Sequence, residues 1–187
     1  MDALMPALVA ALGCLAADRP AWLAAILADR FGPWRVLVGA ALALAVASGI
    51  AVTGGILAGP LFTPEIKALF LSLALVLQGV GLLARLKEPD RLAGWRLPGL
   101  VVAPLGLFIL FFGDGLQLIV AALAARSTLP WAAMAGAVVG GTAALVPAAI
   151  LGEAAWRAWP LVLLRRVAAA GFLVVGLWIA ASGFGLL

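Results

Sequence analysis

The chain has 187 residues, of which 66% are hydrophobic and 11% charged, and its mean hydropathy is +1.24. Soluble domains average roughly 45–50% apolar and about 25% charged residues, so the composition excludes a water-soluble globule and predicts an integral membrane protein. The absence of histidine and the single cysteine, Cys14, exclude histidine-based zinc sites, histidine proton relays, serine–histidine chemistry and an internal disulfide, while the net charge of +4 sits at helix edges rather than in a nucleic-acid-binding patch.

A spanning helix needs roughly 20 mostly apolar residues, and six such segments follow in chain order. The first, 3–28, opens on Met1-Asp2-Ala3 without a basic region and is interrupted by Asp18 and Arg19, so it is expected to be a retained helix and not a cleaved signal. Phe31-Gly32-Pro33 separates it from the second, 36–62, and Gly59-Pro60 marks the approach to the third, 66–84. Lys87-Glu88-Pro89-Asp90 lies in the central loop before the fourth segment, 97–125. Ser127–Pro130 precedes the fifth, 131–151, and the charged stretch Glu153–Arg166 precedes the sixth, 167–187. No stretch is polar enough for a soluble domain, so residues 1–187 are expected to form one membrane domain.

Charge sets the expected orientation. Arg30, Arg35, Arg85, Lys87, Arg91, Arg96, Arg157, Arg165 and Arg166 fall in loops on one side, against Lys67 and Arg126 on the other. Positive residues favour the cytoplasm, so the central loop is expected there, with both termini outside a bacterial-type inner membrane.

The two halves also resemble each other. Asp18 aligns with Asp114 and Arg30 with Arg126 at an offset of 96, and Pro33-Trp34, Gly39, Gly55 and Gly79 align with Pro130-Trp131, Gly136, Gly152 and Gly176 at 97. Three helices per half make residues 1–86 and 97–187 an inverted pair of repeats, a construction common in secondary transporters. Sites in such folds lie near the midplane on interrupted helices at matching positions. Here Asp18-Arg19-Pro20 breaks the first helix and Gly113-Asp114-Gly115 the fourth.

Carboxylates inside a membrane are costly, and so they mark functional sites. Asp114 follows an uncharged run from Leu97 to Gly113, and Gln117 stands one turn further on the same expected face. Asp18 is its counterpart, with Arg19 able to neutralise one aspartate or reach the interface. A protonated aspartate packed against a polar neighbour is the structural alternative. Gln78 reads as a helix–helix hydrogen-bonding residue, Glu153 as a solvated residue near Arg157, and Trp95, Trp131, Trp156 and Trp159 as interface anchors.

The stretch Phe111-Phe112-Gly113-Asp114-Gly115-Leu116-Gln117, followed by Ala121-Ala122-Leu123-Ala124-Ala125-Arg126, resembles the second signature of the GDT family (Gcr-dependent translation factor). That signature reads Glu-x-Gly-Asp-Lys/Arg-Thr/Ser-Gln and occurs once per half. Pro147–Glu153, Leu164–Val167 and Phe172–Trp178 are similar to the family's fifth and sixth helices, so the resemblance spans nearly the whole chain. Gly113, Asp114 and Gln117 match in the second signature, and Asp18 and Arg19 in the first. Phe111 and Leu15 stand at the Glu positions, Gly115 at Lys/Arg and Leu116 at Thr/Ser.

The resemblance implies six-helix cation/proton exchange of manganese or calcium, with Asp18 and Asp114 binding the ion or protons and Gln117 orienting or coordinating. A Glu restored at 111 would stand three residues before Asp114, on the same expected helical face. The transported ion would be a substrate; no cofactor, enzymatic reaction or nucleic-acid partner is expected. The alternatives are a non-transporting subunit paired with an active paralogue or a second copy, and a small-metabolite or lipid-linked permease.

Overall fold

The computed structural model describes all residues except Met1, Ala93, Arg96, Leu97, Gly113 and 184–187. The expected start of the fourth segment at 97, the end of the sixth and the glycine before Asp114 therefore lie outside the described residues.

Helices α1 (Leu4–Leu15) and α2 (Arg19–Phe31) form a pair bent by 69°. Gly32, at φ 89°, turns the chain into α3 (Pro33–Ala58), which a 3₁₀ turn at Gly59–Leu61 extends. Helix α4 (Pro64–Leu83) begins with Thr63 Oγ1 accepting the Ile66 amide at 3.4 Å and with proline in its first turn, where no amide partner is lost. After the central loop come α5 (Gly99–Phe112) and α6 (Gly115–Arg126), a second pair bent by 70°. Helices α7 (Trp131–Arg157) and α8 (Leu161–Gly183) complete the chain. The fold is all-α, with six membrane spans when each bent pair counts as one, in two inverted three-helix repeats.

Two expected boundaries are corrected. The fifth span does not stop at 151: at Gly152 (φ 73°, ψ 175°) the chain jogs, Asp29 Oδ2 accepts the Glu153 amide at 2.9 Å, and the helix resumes to Arg157. The sixth starts at Leu161, six residues early, because the Pro160 carbonyl accepts the amides of Leu163 and Leu164 and nucleates the first turn. Arg165 and Arg166 are therefore helical and not loop residues. Glu153 is not merely solvated; Arg91 holds it at 2.6 and 3.1 Å, while Arg157 lies 3.7 Å away. Trp156 is no interface anchor either: it is 1% exposed and stacks on Trp159 at 5.7 Å.

The inverted repeat is visible in matched contacts. Helix α1 packs on α7 as α5 packs on α3, and α2 packs on α7 as α6 packs on α3. At the α4–α8 crossing, a Cβ on Gly79 would meet the Ala169 carbonyl oxygen at 3.1 Å, and one on Gly176 would meet that of Ser72 at 3.2 Å. Residues 72 and 169 are themselves equivalent at the 97 offset. In the same way Gly39 closes on the Ala103 methyl and Gly136 on that of Ala7, each at 3.1 Å from an added Cβ. Small residues let backbones approach where apolar burial between helices gains little in lipid. Ser72 Oγ donates to the Gly176 carbonyl at 2.8 Å, adding a polar tie to the crossing. Large apolar side chains such as Val38, Leu42, Leu73, Val167, Val174 and Leu177 point outward, as a lipid-facing belt requires.

Candidate functional site

Asp18 and Asp114 each precede a half-helix. Both have extended backbone (φ −114°, ψ −177° and φ −92°, ψ 148°), and each sits at the N-cap position, of α2 and α6 respectively. Pro20 in the first turn of α2 and the paired glycines of the second break explain why a long apolar span stops here and restarts at an angle. The positive ends of two half-helices thus face one region, which suits bound negative charge or a carboxylate that holds a cation.

The two aspartates line a single cavity of about 500 Å³. Its walls come from Arg19 and Pro20 of α2, Leu77, Gln78 and Gly81 of α4, Ile109 and Leu110 of α5, Gly115 of α6 and Arg165 of α8. Ala84 and the exposed Arg85 mark its mouth, so it opens toward the central loop. A second cavity, about 750 Å³, lies among α1, α4, α6 and α8 toward the other end, with Asp2 and Arg126 at its rim and apolar residues such as Leu71, Phe172 and Val175 as walls. The two cavities share no lining residue.

Asp114 Oδ2 is shielded from solvent and has no hydrogen-bond partner among the described residues. Asp18 is differently placed: Arg165 Nη1 donates to its Oδ1, and Arg165 Nη2 donates to the Ala84 carbonyl at 3.1 Å and that of Gly81 at 3.4 Å. Arg165 is only 6% exposed, so its charge is compensated by these three acceptors rather than by water.

Gln117 is buried on α6, but it is not among the residues lining the cavity, and neither amide atom has a partner among the described residues. Gln78, rather than Gln117, lines the cavity, and its Oε1 lies where a Cβ of Gly115 would stand. Sequence reasoning missed Gln78 and Arg165. The signal for Arg165 was Trp159-Pro160, a helix start that carries the arginine a full turn into the membrane span. Leu15 and Phe111, at the signature's acid positions, are fully buried core residues that do not line the cavity. The α5–α6 break also falls between Phe111 and Asp114, so the two share no continuous helical face.

Among the described residues no three histidine, cysteine, aspartate or glutamate side chains cluster as a metal cage. What the cavity offers is two carboxylates, the Gln78 amide oxygen and helix-end carbonyls, a hard-oxygen set suited to a passing cation rather than a resident one. On the central-loop face, Glu88 and Glu153 hold Arg91, raising its pKa above the ordinary value through hydrogen bonds and charge.

Neither a curated protein nor a solved structure matches the chain. A family comparison matches it twice to the divalent cation/proton antiporter GDT1, over residues 3–90 and 99–186. With both triplets matched and an aspartate at each helix break, the chain belongs to the GDT1 family of divalent cation/proton antiporters.

Proposed function

We propose that this protein exchanges Mn²⁺ or Ca²⁺ for protons through the cavity between the two helix breaks, with Asp18 and Asp114 as the groups that take up cation or protons. The observation that carries the reading is the convergence of both half-helix carboxylates on one cavity. Gln78 adds an oxygen that can turn toward the ion, whereas Gln117 lies outside the cavity lining. The charge pattern supports reading the central loop, which carries Arg85, Lys87 and Arg91, as the cytoplasmic face, so in this reading the cavity is reached from the cytoplasm and both termini lie outside. Rocking one triplet against the other would connect the two aspartates to the cavity of about 750 Å³ on the opposite side.

Asp114→Asn tests the site. The variant keeps shape and removes a carboxylate whose Oδ2 has no partner, so Mn²⁺ flux in proteoliposomes should disappear while thermal stability holds or rises slightly. Flux indifferent to the substitution would place the pathway elsewhere. No flux from the isolated native protein would favour the reading as a partner subunit, which the core residues Leu15 and Phe111 at the acid positions make the second choice.

A further inference from the structure

Arg165 stands out as the buried charged residue among the described ones. Its two terminal nitrogens are divided between different elements. One holds Asp18 at the start of α2, and the other holds the last carbonyls of α4, at Gly81 and Ala84. Its guanidinium therefore lies on the carboxylate that a transported cation needs, in the wall of the same cavity. Arg19 and Arg85 also line that cavity, but both are exposed, and among the described residues neither is bonded to an aspartate.

We propose that Arg165 is a displaceable internal cation of the transport site: it occupies Asp18 when no ion is bound, and an entering divalent cation must drive it off. This rests on the antiport reading above and adds to it a residue that sets affinity and couples occupancy to helix packing. The physical ground is charge. A divalent cation held between Asp18 and Asp114 with the guanidinium still in place would leave three positive charges against two negative ones, beside an arginine that is itself only 6% exposed. Repulsion at such distances is strong when water is excluded. The guanidinium has somewhere to go, because the Ala84 end of the cavity opens toward the central loop. Leaving Asp18, it also loosens its hold on α4, so loading the site frees α8 and α2 from the end of α4. Arginine suits this task because its fork reaches a carboxylate and two carbonyls together, and because it keeps its charge at every physiological pH.

The test uses the purified full chain in lipid nanodiscs and radiolabelled Mn²⁺. Arg165→Gln should bind Mn²⁺ at least about tenfold more tightly than the native protein, and Arg165→Lys should stay within about threefold of native. Equal or weaker binding by a folded Arg165→Gln variant, with native binding intact, would overturn the inference and leave the antiport reading standing. Absence of Mn²⁺ and Ca²⁺ binding by all forms would overturn both. Should Arg165→Gln not fold, Arg165→Lys decides by itself. The introduced amine should be poorly acylated without metal and several-fold more reactive with saturating Mn²⁺, read on its own peptide by mass spectrometry. Labelling that stays constant or falls with Mn²⁺ would show a fixed structural cation and overturn the inference.

Discussion

Phe111 carries the sharpest contrast between motif and structure. The signature has an acid there, yet the side chain is fully buried and lies outside the cavity lining, at the end of α5 and not on the helix that Asp114 opens. Phe111→Glu is therefore expected to destabilise the protein by about 3 kcal/mol or more, through lost aromatic packing and a buried carboxylate, rather than to supply a ligand. Thermal unfolding in detergent with and without Mn²⁺ checks this, and strong rescue by the metal would refute it. Gly115 departs from the signature for a visible reason, since Gln78 Oε1 fills the space of its Cβ. Asp18 and Asp114, which line one cavity, were legible as candidates because charge inside an apolar run is conspicuous. Gln78 was not, because a neutral amide on an apolar helix looks the same whether it joins helices or faces a cavity.

At the scale of elements, the crossing of α4 and α8 depends on bare backbone at two equivalent places. A Cβ at Gly79 would lie 2.8 Å from Leu173 Cγ and 3.1 Å from the Ala169 oxygen, whereas one at Gly54 meets nothing within 4 Å. Gly79→Ala should thus cost about 1–3 kcal/mol, and Gly54→Ala should be neutral or stabilising by up to about 1 kcal/mol. Comparing the two by thermal unfolding separates helix packing from helix propensity; equal effects would contradict the packing account. Both broken helices were legible from Asp18-Arg19-Pro20 and Gly113-Asp114-Gly115, since proline and glycine interrupt helices for local reasons. The ends of the last two spans were not. Gly152 reads as a stop, but a carboxylate 124 residues away in sequence, that of Asp29, takes the next amide and lets the helix resume. Arg165 and Arg166 read as loop charges because hydropathy cannot tell a solvated arginine from one paired to a distant aspartate.

For the molecule as a whole, the inverted repeat was legible in the register of Asp, Pro-Trp and Gly pairs, and the matched packing of α1 on α7 and α5 on α3 follows from it. The direction in which the cavity opens was not legible, because it depends on how the two triplets pack and not on any local pattern. Gly81 lines the cavity, and a side chain there would meet nothing within 4 Å. Gly81→Cys should react with a membrane-impermeant thiol reagent from the central-loop side only, more slowly when Mn²⁺ fills the site; Cys14, being buried, should not interfere. Reaction from the side of the termini alone would reverse the assigned opening. If cation and proton share the cavity lined by Asp18 and Asp114, simultaneous recording of internal Mn²⁺ and internal pH in proteoliposomes of the native chain should show it. Mn²⁺ entry should drive proton exit, an imposed acid interior should drive Mn²⁺ entry, and Asp114→Asn should abolish both; Mn²⁺ movement with no proton counterflow would rule out a shared cavity.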